Sequence, residues 1–264
     1  MNTLDDKWNN GDPYELFMGR WSKLIAPKFL NWLRLPICSK WLEVGCGTGA
    51  LTEAIYQNCE PAHLTSIDPS SEFLIKAKQR LKDKGNFLIG TAIDLPVEDD
   101  YVDIIVSGLA LNFFPNLEGA LTEMKRVTKP DGTIAAYVWD YSGRMDMLRF
   151  FWNAAILVNP QAVDLDEGVR FPICNMGTLK KTFQNVGLSQ IEVATFDIDM
   201  QFEDFGDYWN PFLGGQGPAS AYLDSLSKNL QEELKEKIYA QLPIEADGSI
   251  QLLGRALAIK GKNK

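Results

Sequence analysis

Residues Trp41–Thr52 read WLEVGCGTGALT, and the fold turns on this stretch. Its first residues are apolar, as in a buried parallel strand. Three glycines follow at Gly45, Gly47 and Gly49, and apolar residues then recur at Leu51, Ala54 and Ile55 with helical spacing. The pattern predicts a strand, a tight glycine turn and a helix N-terminus. Glycine there permits positive φ and lets a ligand come close to the main chain. The unpaired N–H groups of the first helical turn point toward whatever the turn holds. The expected occupant is a nucleoside cofactor.

Outward from that turn, strands and helices alternate from about residue 40 to 140. Strand 1 (Lys40–Val44) is followed by Leu64–Ile67, Asn86–Ile89, Val102–Val106 and Thr133–Trp139, with helical patterns between them. This alternation predicts a doubly wound α/β fold with a mostly parallel sheet. Upstream, residues 14–35 carry a helical period that Pro27 is expected to kink or split. Downstream, residues 141–177 and 202–247 interrupt the alternation as inserts with helical patterns. Thr178–Val186 reads as a helix closed by Gly187, Leu188–Met200 as a long strand, and Gln251–Lys260 as a last one. The two late strands lack a regular crossover and are expected as an antiparallel pair at the sheet edge.

Composition narrows the function. The 264 residues carry a net charge of -9, with 45% hydrophobic and 23% charged residues. That is the make-up of a soluble globular protein. An acidic surface repels phosphate backbones and argues against nucleic acid as a partner. Four cysteines without a CxxC pair, and His63 as the one histidine, argue against a zinc site and a disulfide framework. The polar, acidic start is not a secretory signal, and no apolar run reaches membrane-spanning length. The expectation is a cytoplasmic protein with reduced thiols.

Glu43 and Asp68 bear on which cofactor is held. The spacing G-x-G-x-G differs from the G-x-G-x-x-G of dinucleotide sites. Glu43 beside it would repel a pyrophosphate and accept a sulfonium or an ammonium. Asp68 ends strand 2, where a carboxylate can accept hydrogen bonds from ribose hydroxyls. Asp68-Pro69-Ser70 is also a helix-start signal, so Asp68 could instead be a cap, unless Ser70 fills that role. Ser107 and Gly108 end the most apolar strand, where ligands of open α/β sheets lie.

Four segments together resemble the seven-stranded S-adenosylmethionine-dependent methyltransferases, most of all the small-molecule branch of ubiquinone-biosynthesis type. They are Glu43–Gly49, Ser66–Ser70, Gly90–Pro96 (GTAIDLP) and Leu121–Tyr137 with KRVTKPDG inside it. The resemblance implies a single methyltransferase domain with S-adenosyl-L-methionine as cofactor. It implies a lid at 14–35, a cofactor-binding half at 40–140, and cap inserts at 141–177 and 202–247. It places the cofactor's methionine part against Glu43, Gly45, Cys46, Gly47 and Gly49, with Ser107 and Gly108 lining it, and its ribose on Asp68 beside Pro69. Asp94 would accept the adenine amino group, with Ile93 in apolar contact and the Leu95 N–H as donor. Tyr14 and Arg20 fall in the lid, where Arg20 could pair with the cofactor carboxylate.

On the substrate side the pocket candidates are Asn112, Phe113, Trp139, Tyr141 and Trp209, with Phe114, Phe150, Phe151, Trp152 and Phe212 as further aromatics that core packing would equally explain. Asn112 stands where relatives often have histidine, which removes one possible base. No acid–base dyad is found, and displacement at a sulfonium requires none. The expected activity is methyl transfer to a small molecule. The alternatives are a catalytically silent binding protein of the same fold and a nicotinamide-dependent oxidoreductase.

Overall fold

The computed structural model describes residues 15–82, 84–215 and 217–264. Tyr14 lies outside them. Seven strands form one sheet in the order β3-β2-β1-β4-β5-β7-β6. These are β1 (Lys40–Val44), β2 (His63–Asp68), β3 (Asn86–Ile89), β4 (Val102–Gly108), β5 (Thr128–Trp139), β6 (Ser189–Phe202) and β7 (Ile250–Lys262). Strands β1 to β5 pair in parallel, β7 runs antiparallel to β5, and the two late strands β7 and β6 are neighbours at the sheet edge. The Val44↔Ile67 and Asp68↔Ile89 pairs bring the carboxyl ends of β1, β2 and β3 to one edge. Gly108↔Tyr137 brings the ends of β4 and β5 there as well.

Two elements differ from expectation. The helix α1 (Arg20–Leu33) runs unbroken through Pro27, after a π-helical turn at Glu15–Gly19. Phe29, Leu30 and Leu33 beyond the proline are buried, so packing outweighs the one lost backbone hydrogen bond. Strand β5 begins five residues early. Pro130-Asp131-Gly132 falls within it as an irregularity, where the pairing with β4 shifts register between Val102 and Ile104. Asp131 takes φ 61° there.

The chain divides into two compact units. The larger comprises Ser22–Trp139, Ile173–Phe196 and Ala256–Lys264. It holds α2 (Ala50–Asn58), α3 (Ser71–Leu81), α4 (Leu117–Val127) and α7 (Met176–Asn185). Trp41, Ile105, Val106, Ala135 and Val138 are 0–1% exposed, so the central strands are covered on both faces. That explains their continuous apolar runs.

The smaller unit contains the described residues up to Trp21, Asp140–Pro172 and Asp197–Arg255. Its helices are α5 (Asp146–Val158), α6 (Glu167–Arg170), α8 (Phe205–Trp209), α9 (Gly217–Ser225) and α10 (Lys228–Gln241). Aromatic rings fill it. Phe151 stacks on Phe212 with centroids 4.7 Å apart, and the Tyr208 hydroxyl donates to the Met147 carbonyl at 2.7 Å.

Candidate active site

Built upward from β1, the turn has a distinct reason for each glycine. Gly45 has φ 77°, and a Cβ there would lie 2.6 Å from the Ala110 Cβ. Gly49 has φ 85° and precedes α2, with Ala77 and Leu81 closed against it. Gly47 has φ 53°, but an added Cβ would meet only Phe73, at 4.0 Å. Gly45 and Gly49 are thus held by packing, whereas Gly47 faces open space.

Asp68 is tied directly to this turn. Its Oδ2 accepts the Gly47 N–H at 2.8 Å, and its Oδ1 accepts the Ser70 N–H at 2.8 Å. Ser70 itself caps α3, accepting from Phe73 N. The cap is therefore supplied by Ser70. Each Asp68 oxygen keeps a further lone pair. Burial raises its pKa, and the two amides pull the other way.

Glu43 lies deeper. It is 1% exposed and receives hydrogen bonds from Thr52 and Ser66 beneath the turn. Burial raises its pKa to about 8, so it is mostly protonated at neutral pH. In that state its carboxyl carries little charge toward whatever the turn holds. Cys46 packs with Leu74, Ala77, Leu81 and Phe87, and burial raises its thiol pKa well above the ordinary value. It is a packing residue, with only its backbone on the turn.

Past β3, Ile93 is 55% exposed and Asp94 is exposed, its amide donating to the Thr91 carbonyl in a tight bend. Leu95 has a partner of its own. Its N–H already donates to Glu123 Oε1 at 3.0 Å, and its side chain is 3% exposed. It anchors the loop instead of offering a donor. Pro69 is exposed at the end of β2.

At the end of β4, Ser107 is fully buried and its Oγ has no partner. Gly108 is roofed by Tyr137, whose hydroxyl oxygen would lie 2.7 Å from an added Cβ. Both polar atoms of the Asn112 carboxamide are also buried without a partner, and Phe113 is half-buried. Trp139 is 2% exposed in the larger unit. Tyr141, beside Phe171, and Trp209, stacked on Phe205, are 5% and 7% exposed in the smaller one. These three rings occupy core positions, as do Phe151, Trp152 and Phe212. Arg20, in the smaller unit, pairs with Asp207 at 2.8 Å and lies over Trp21 and Phe202.

Sequence reasoning missed Glu123 and Arg126. They sit on α4, outside the strand ends where a reader looks, and only their i,i+3 spacing hints at a pair.

A doubly wound sheet whose first turn is glycine-built and bonded to an acid at the end of the next strand is a nucleoside-binding α/β architecture. A family model described as a methyltransferase domain matches residues 42–136. An uncharacterized methyltransferase of Schizosaccharomyces pombe is 32% identical over 222 residues, covering 82% of this chain and 78% of that protein. A demethylmenaquinone methyltransferase of Staphylococcus haemolyticus is 35% identical over 180 residues, covering 62% and 74%. Among solved structures, the chain is similar to Haemonchus contortus phosphoethanolamine N-methyltransferase 2 in complex with phosphomonomethylethanolamine and S-adenosylhomocysteine. That match has a TM-score of 0.59 at 14% identity, over 95% of this chain and 56% of that one. At such identity the likeness concerns the fold alone.

The chain belongs to the S-adenosylmethionine-dependent methyltransferases. The residues present fit that cofactor. Gly47 leaves a cradle that a side chain would fill, and Asp68 stands beside it with lone pairs to spare.

Proposed function

We propose that the protein methylates a small molecule by direct displacement, with its cofactor held between the Gly45–Gly49 turn, Asp68 and the 91–95 loop. The observation that carries this reading is the Gly47–Asp68 hydrogen bond, which fixes the open turn and the ribose-type acceptor as one unit. S-adenosylmethionine, when bound, supplies a methyl group on a sulfonium that leaves as a neutral thioether. The protein's share is to hold, align and exclude water.

In this reading Gly47 gives the space for close approach, Asp68 accepts the ribose hydroxyls, Ile93 covers one face of the adenine, and Asp94 accepts its amino group. Asn112 and Phe113 follow β4 on the acceptor's side. A neutral carboxamide can orient an acceptor but cannot remove its proton, so the acceptor is nucleophilic as it arrives. The name of the Staphylococcus haemolyticus relative, which specifies demethylmenaquinone, supports a small-molecule acceptor. Among the described residues no helix is long and apolar enough to cross a membrane, and we place the enzyme in the cytoplasm.

The test is incubation with methyl-labelled S-adenosylmethionine and a small-molecule metabolite extract. Label in a low-mass product is the expected result. Tight cofactor binding with no transfer to any fraction would favour the silent binding protein.

A further inference from the structure

The loop after β3 has little regular structure of its own, yet its backbone is held at several points by one side chain. Arg126 donates from Nη2 to the Leu95 carbonyl at 3.2 Å and from Nη1 to the Val97 carbonyl at 3.0 Å. Its Nη1 also pairs with Asp99. Its other edge grips Glu123 in bidentate fashion, Nε to Oε2 at 2.9 Å and Nη2 to Oε1 at 2.6 Å. Glu123 Oε1 in turn accepts the Leu95 N–H at 3.0 Å. The carboxylate of Glu123 is held below its usual range, first by the Arg126 hydrogen bonds.

We infer that Glu123 and Arg126 are positioning residues for the cofactor's adenine, acting through the loop that carries Ile93 and Asp94. The inference rests on the cofactor reading above. Leu95, Val97 and Asp99 are fixed from α4, so the chain just before them is presented in one shape. A loop ordered in advance loses less entropy when it closes on a ligand. A guanidinium is suited to this because its planar fork of five N–H donors serves both oxygens of a carboxylate and two carbonyls together, more acceptors than the three donors of an ammonium can reach. The pair touches neither the reacting methyl group nor the acceptor, so its effect belongs to cofactor affinity and not to the chemical step.

The experiment measures S-adenosylhomocysteine and adenosine binding by calorimetry, and 91–99 amide exchange, in wild type, Arg126→Gln, Arg126→Lys, Glu123→Gln and Glu123→Ala. Arg126→Gln is expected to weaken both ligands by a similar factor, about tenfold, the size of one charge-assisted contact. Arg126→Lys, which keeps the charge and loses the fork, should fall between. Glu123→Gln retains an acceptor for Leu95 and should do less harm than Glu123→Ala. Loop amides should exchange faster in step with the lost affinity. With a turnover assay, the KM for S-adenosylmethionine should rise while kcat at saturation stays within about twofold.

Wild type that binds neither ligand would refute the cofactor reading itself. Wild type that binds, with folded Arg126→Gln or Glu123→Ala binding within twofold of it, would overturn the clamp alone. If Arg126→Gln does not fold, the graded pair at Glu123 decides the matter by the same measure.

Discussion

At the scale of the residue, two buried acids on neighbouring strands have opposite roles. Asp68 meets two backbone amides on the turn side, whereas Glu43 meets two side-chain hydroxyls beneath it. Burial raises the Glu43 pKa from 4.5 to about 8. The folded state therefore holds a proton that the unfolded chain releases above pH 4.5. The stability linked to that proton is fully present below about pH 4.5 and is lost as pH rises through about 8. Glu43→Gln should accordingly raise Tm relative to wild type more at pH 8.5 than at pH 5.5. Equal shifts at the two values would show that Glu43 is ionised in the fold. Glu167, in the smaller unit, shares the same direction, so the double variant with Glu167→Gln should flatten the profile further.

At the scale of the element, the glycine turn makes two kinds of demand. Gly45→Ala forces a Cβ toward Ala110 at a positive φ. It should cost stability by about 1–3 kcal/mol, read as a lower denaturation midpoint. Gly47→Ala has room behind it and carries only the backbone penalty of about 1–2 kcal/mol. Its methyl group would occupy the cradle, so cofactor binding should suffer more than stability. If Gly47→Ala binds S-adenosylhomocysteine like wild type, the cradle is not where the ligand sits.

The turn was legible in sequence because glycine spacing and apolar runs are local signals. The Pro27 helix and the early start of β5 were not, because both depend on partners distant in the chain. Leu95 shows the limit most plainly. Its place in a familiar segment suggests a donor to adenine, but the acceptor that takes its N–H is Glu123, 28 residues away.

At the scale of the molecule, apolar patterning gave the mostly parallel sheet and its antiparallel partner strand, while the aromatic residues downstream of β5 were ambiguous. Sequence cannot separate a ring that lines a pocket from one that fills a core, since both are apolar and regularly spaced. The structure assigns Phe151 to the core of the smaller unit, fully buried against Phe212 and Trp152. Phe151→Ala should destabilise by about 3–5 kcal/mol, visible as a lower melting temperature. A variant of unchanged stability that loses only acceptor turnover would return Phe151 to the pocket.

The central claim is that the β1 turn and Asp68 act together on an adenosyl ligand, and calorimetry with S-adenosylhomocysteine on wild type and Asp68→Ala tests it most directly. Saturable binding to wild type, weakened by about 1–3 kcal/mol in the variant while the fold is retained, is the expected result. Absence of binding at millimolar ligand, or equal affinity in the two proteins, would contradict it.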